Sequence, residues 1–135
     1  MQNNSETILT ASTHPGGGTT ETVTGEKFKG DGYYGRSDGL HTVQVDLTGF
    51  IGKVAMQGTL ATTPVEADWF TLVLDSGKQS VDTTGLVATQ SITSVEYTSA
   101  TTNNKNYNFT GNYVWVRTYV SNWTDGTVNS IRLNH

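Results

Sequence analysis

Between His41 and Phe50 the chain alternates strictly, with Val43, Val45 and Leu47 on one side and Thr42, Gln44, Asp46 and Thr48 on the other. A two-residue period is that of a strand with one face buried and the other wet. Past Gly49 and Gly52, Val54, Met56 and Leu60 alternate with Lys53, Ala55, Gln57 and Thr59, so the two glycines predict the turn of a hairpin. The run Trp69 to Leu74 is apolar on both faces and predicts either a central strand covered on each side or one that faces a neighbour, closed by Asp75-Ser76-Gly77. Further strands are predicted over Ser91 to Thr98, Tyr113 to Val120 and Thr127 to Leu133, the last entered through an Asp125-Gly126 turn. Val128 and Ile131 differ in parity, which predicts a bulge or an edge position within that last strand.

Between these strands, Gly25 to Gly39 reads as irregular structure around Phe28, Tyr33 and Tyr34, and Asn103 to Asn108 as a polar loop. Thr62-Thr63-Pro64 supports at most one helical turn before Asp68. No window carries an apolar period of 3.6 residues that is free of glycine or β-branched runs. Short strands with turn signals and no helix predict an all-β, single-domain antiparallel β-sandwich or jelly roll over residues 19–135. Ahead of it, residues 1–18 read as an extended N-terminal arm. Its strand-like Glu6 to Thr10 is set off by the hinge His14-Pro15-Gly16-Gly17-Gly18.

The chain has 135 residues, enough for one core, and only 15% of them are charged, so the wet faces are mostly Thr, Ser and Asn. The eight basic residues are spread from Lys27 to Arg132 against a net charge of −4, which disfavours a nucleic-acid binder. Without cysteine there are no disulfide staples, thiolate nucleophiles or zinc–sulfur sites. Nothing resembles a signal peptide or an apolar membrane span, so synthesis in a cytoplasm is expected.

Candidate chemistry is sparse. Gly30-Asp31-Gly32-Tyr33-Tyr34-Gly35 fits the bare G-x-G-x-x-G spacing, but a pyrophosphate site needs an apolar strand before it and a helix after it. Glu-Lys-Phe-Lys precedes the motif and Arg36-Ser37-Asp38-Gly39 follows, so a glycine-rich surface loop is expected. Asp31 and Asp38 fit no calcium-loop spacing, and His14, His41 and His135 lack metal-ligand spacing and read as surface or strand-end residues. Glu66 and Asp68 sit too close in sequence to flank a glycosidic bond and read as turn caps. No G-x-S-x-G elbow is present. The expectation is a protein with no enzymatic activity, cofactor or metal.

Aromatic residues carry more information. Tyr113, Trp115 and Tyr119 share a strand face with Arg117, while Val114, Val116 and Val120 make the other face apolar. A strand apolar on both faces is either central in the core or buried by a partner, and on the second reading Trp69, Tyr113, Trp115 and Arg117 form an assembly interface. The arm residues Thr7, Ile8, Leu9 and Thr10 are expected to add to the sheet edge of a neighbouring subunit. A rival reading, motivated by Tyr33, Tyr34, Trp115 and Trp123 beside polar loop residues, is a glycan-binding module on a tail fibre or other adhesin, with Tyr33, Tyr34 and Trp123 as its contacts.

The stretches from Val45 to Leu60, Asp68-Trp69-Phe70, Phe109 to Arg117 and Asp125 to His135 resemble small virion structural modules of tailed bacteriophages, cyanophages in particular. The resemblance implies a β-sandwich used in capsid decoration, neck or tail appendages. It also implies virion proteins and copies of itself as partners, a homo-oligomer with a trimer as the expected form, residence in the virion, and no nucleic-acid or membrane partner.

Overall fold

The computed structural model describes residues 5–35, 38–81 and 87–135, with side chains outside 76–91. Met1 to Asn4 of the expected arm, and Arg36 and Ser37 after the glycine motif, lie outside the described residues. The alternating segments form two strands of unusual length, β5 (Leu40–Thr59) and β10 (Trp115–Asn134). They pair antiparallel from Trp115 opposite Thr59 to Asn134 opposite Thr42. On the far edge of β5 lie β9 (Val95–Thr110) and then β7 (Leu74–Val81) and β8 (Val87–Ile92). The two-residue β6 (Phe70–Thr71) continues that edge at Gln57 and Gly58.

Along the other edge of β10, four short strands follow one another: β1 (Glu6–Leu9), β2 (Ser12–Thr13), β3 (Glu21–Thr24) and β4 (Phe28–Lys29). They meet β10 in order from Leu133 back to Trp115, so residues 6–29 act as one edge strand interrupted by loops. Every pairing is antiparallel, and the only helical elements among the described residues are 3-10 turns at Asp31–Tyr34 and Glu66–Asp68. The fold is all-β, as the alternation predicts.

A straight strand of this length spans about 66 Å, whereas a compact chain of this size has a radius of gyration of about 14 Å. The long strands therefore bend, and their bulges mark where. In β5 the inward residues are odd-numbered through Leu47, then even from Phe50 to Met56; in β10 they are even through Val120, odd at Trp123, even at Val128, and odd at Ile131 and Leu133. Each change of parity coincides with a slip in register, at Leu47/Phe50, Ser121/Asp125, Asp125/Thr127 and Val128/Ser130. An extra residue restores the apolar set to the inside, which is what a bulge does. The predicted bulge between Val128 and Ile131 is present, in a strand paired on both edges.

Gly49 and Gly52, read as a hairpin turn, instead lie inside β5, and Asp125-Gly126 lies inside β10. Gly126 has φ +89°, and a β-carbon there would strike the Gly49 carbonyl across the strand pair. Gly52 and Gly126 are needed where two bulged backbones approach each other, Gly49 serves through its positive φ of +61°, and the chain does not reverse. The Asn103 to Asn108 segment is also no loop. It is β9 backbone paired to Leu47 through Thr42, anchored by buried Tyr107 and Phe109, and ladder hydrogen bonds need no apolar side chain.

Trp69 to Leu74 is not a central strand, since it splits into β6 and the start of β7 at the sheet margin. Only Leu72 and Leu74 turn inward there, while Phe70 and Val73 are exposed. Among the described residues ten strands form one curled antiparallel sheet around a single core that includes Val43, Phe50, Val116, Val120, Ile131 and Leu133.

Candidate functional site

The glycine motif folds into the 3-10 turn Asp31–Tyr34, packed against the backbone that leads into β10. Gly30 N–H donates to the Val114 carbonyl at 3.0 Å and Gly32 N–H to the Tyr113 carbonyl at 2.9 Å. A β-carbon on Gly32 would collide with the Asn112 carbonyl. The motif's glycines thus serve close backbone packing, and the turn holds Tyr33 and Tyr34 outward at 46% and 50% exposure.

Beneath the turn, Asp31 is 1% exposed and is no surface residue. His135 Nδ1–H donates to its Oδ1 at 2.9 Å, and the Asp31 N–H donates to His41 Nε2 at 3.3 Å. His41 is fully buried, stacks on Phe109 at 4.5 Å, and donates Nδ1–H to the Gly39 carbonyl at 2.9 Å, which fixes the neutral tautomer. Burial pushes the Asp31 carboxyl up, but the His135 hydrogen bond and the nearby His41 outweigh it and leave the group below its ordinary value. Burial also pulls His41 below its ordinary value, against the opposing pull of the Gly39 carbonyl and of Asp31.

His41 and His135 do lie at strand ends, at the start of β5 and just past β10, but their side chains are buried and not on the surface, and a signal for that is available. His41 shares parity with Val43 and Val45, and His135 with Ile131 and Leu133, so both rings point inward with those residues. His14 is buried as well. Its Nδ1 accepts from Gly16 N–H at 2.9 Å, its Nε2 lies 3.0 Å from the Thr19 carbonyl, and its ring meets Trp123 edge-on at 5.5 Å. The three-glycine stretch is tied down at that point.

Trp123 is 3% exposed, with its indole N–H donated to the Asp125 carbonyl, so it is withdrawn as a glycan contact. Trp115, named in the same reading, is half-buried and does join the exposed rings, 5.1 Å from the Tyr33 ring. Lys27 Nζ stands 4.6 Å from the centre of the Trp115 ring, and Lys29 Nζ 4.6 Å from that of Tyr33. Glu6, Lys27, Phe28, Lys29, Tyr34 and Trp115 line a shallow cleft of about 290 Å³.

On the same face of β10, Arg117 both stacks and pairs. Its guanidinium lies 4.3 Å from the Trp69 ring, binds Glu66 through two nitrogens at 2.7 and 3.2 Å, and donates Nε–H to Gln57 at 2.8 Å. The Arg117 hydrogen bonds hold the exposed Glu66 carboxyl below its ordinary value. Asp68 accepts from the Val65 N–H at 2.8 Å and closes the 3-10 turn, as the capping expectation has it.

Arg117 and Trp69 are thus spent within the chain, pinning the segment between β5 and β7, and Tyr113 is half-buried with its ring edge against Phe70 at 5.6 Å. What stands out from that segment is a set of apolar side chains not singled out beforehand. Leu60, Val65, Phe70 and Val73 are 65%, 64%, 44% and 57% exposed. Of the arm residues, Ile8 is 3% exposed in the core and Leu9 packs against it, while β1 pairs with β10 of its own chain.

No family profile matches the sequence, and no curated protein does. Among solved structures the fold is similar to the crystal structure of the SPBc2 prophage-derived protein YomS. That similarity has a TM-score of 0.57 and 15% sequence identity, over 96% of this chain and 88% of that one.

Proposed function

We propose that the chain is a non-enzymatic structural module of a tailed-phage particle, a capsid decoration or neck and tail-associated protein that assembles with copies of itself and with other virion proteins. The observation that carries this reading is the apolar group Leu60, Val65, Phe70 and Val73, four large side chains left in water by one fourteen-residue stretch. Scattered exposed apolar residues are ordinary, but a group on one segment at a sheet margin marks a surface that is covered in use. The segment is held rigid by the Arg117–Glu66 pair and by the Trp115 indole N–H donated to the Thr62 carbonyl at 3.1 Å, so it is preformed for docking. The fold shared with a prophage-derived protein supports the phage setting.

The assembly surface now proposed is this segment, in place of the Thr7 to Thr10 arm, because Ile8 already fills the chain's own core. Sedimentation of the purified protein tests it: the wild type is expected to run as a homo-oligomer and the Phe70→Asp/Val73→Asp variant as a folded monomer. A wild type that stays monomeric at tens of micromolar, or a variant that stays oligomeric, overturns the reading.

A further inference from the structure

We infer that the shelf formed by Tyr33, Tyr34 and Trp115 with Lys27 and Lys29 is a binding site for an anionic glycan, the acid groups being carboxylates or phosphates carried on sugar rings. The inference stands apart from the assembly reading, because its ligand class differs and none of Leu60, Val65, Phe70 and Val73 takes part; Trp115 alone is shared, its indole N–H holding the docking segment and its ring forming part of the shelf.

The shelf is built. Lys29 lies opposite Trp115 in the register of β4 and β10, and Lys27 falls two residues along on the same face, so both ammonium groups project over the aromatic side. Tyr34 stacks on His135 at 5.6 Å, and His135 is held by buried Asp31, which fixes the ring plane from below. Tyr33 is braced by Tyr34 edge-on and by Trp115. A sugar ring carries an apolar C–H face that packs on such rings, while its hydroxyls stay wet.

Among the described residues neither lysine has a carboxylate in ion-pair range, although the chain as a whole is acidic. Two cations held beside aromatic faces and lacking anions of their own select a ligand that brings negative charge. Glu6, the one carboxylate among the described residues that line the cleft, lies 3.8 Å from His135. An acidic peptide is the weaker fit, because β4 offers only two residues of edge for strand addition.

The test titrates the full-length protein with oligomers of galacturonic, mannuronic, guluronic and glucuronic acid, following tryptophan fluorescence and heat. At least one acidic oligomer is expected to bind, and its methyl-esterified form to bind about two- to thirtyfold more weakly, the span of two exposed ion pairs. Lys27→Ala/Lys29→Ala should bring the acidic oligomer to the level of the ester. Tyr33→Ala/Tyr34→Ala should weaken both by about tenfold, with unchanged far-UV circular dichroism in each case. Glu6→Gln should bind as tightly or more so. No response to any acidic oligomer or to a teichoic-acid phosphate polymer at about 10 mM overturns the inference. Equal binding of hexa-aspartate also overturns it, by showing charge recognition alone. Neither result bears on the sedimentation of the wild-type protein.

Discussion

A buried charge or polar ring is costly unless its partners are complete, and His41 shows how one residue ties stability to pH. Its two nitrogens are committed to the Gly39 carbonyl and the Asp31 amide, an arrangement that only the neutral ring satisfies. Because its folded value lies below the ordinary 6.5, the contribution is complete above 6.5 and is lost as pH falls from there toward the folded value. The surrounding groups are Asp31, Asp38 and His135, and Asp31 adds its own loss only below its ordinary 3.8. The urea midpoint is therefore expected to be lower at pH 5.5 than at pH 7.5, with the unfolding free energy reduced by no more than about 1.4 kcal/mol per pH unit from this residue. A midpoint unchanged between those values would remove the neutral-ring assignment.

Among the elements, β1 has the role most at odds with its appearance in the sequence. Four residues behind a glycine-rich stretch look detachable, yet Ile8 is 3% exposed and the strand closes the edge of β10 at Leu133 to Ile131. Ile8→Ala is expected to cost about 2–5 kcal/mol, as for other buried aliphatic truncations. The exposed neighbour Thr7→Ala should stay within about 0.5 kcal/mol. Equal, small effects in chemical denaturation would mean that the strand is not docked in solution. The interruptions along residues 6–29 also have a use, since an edge broken into four pieces gives foreign strands little to extend.

For the molecule as a whole, one curled sheet around one core predicts one cooperative transition. Trp123 reports the packing of the His14 segment, and Trp69 that of the segment between β5 and β7, while circular dichroism reports the sheet. The fluorescence and dichroism unfolding curves are expected to coincide in urea. Separated midpoints would show that the edge pieces or the margin melt independently.

Much of this was legible in the chain. Alternation along His41 to Phe50 and the opposed parities of Val128 and Ile131 follow from local side-chain geometry, so strand identity, the inward face and one bulge are properties of the sequence. The exposure of Tyr33 and Tyr34 and the stacking and pairing of Arg117 were also within reach. The difference between turn and bulge was not. A glycine with positive φ serves either, and at Gly49, Gly52 and Gly126 the choice is made by strands paired from far along the chain. Likewise, polar Asn103 to Asn108 becomes a strand because β5 supplies its hydrogen bonds, and Asp31 meets a histidine 104 residues away only after the sheet has curled. The sequence by itself sets which backbone shapes each residue tolerates and which side chains leave water. Tertiary pairing decides which of those shapes is used, because ladder bonds and burial are supplied by distant segments.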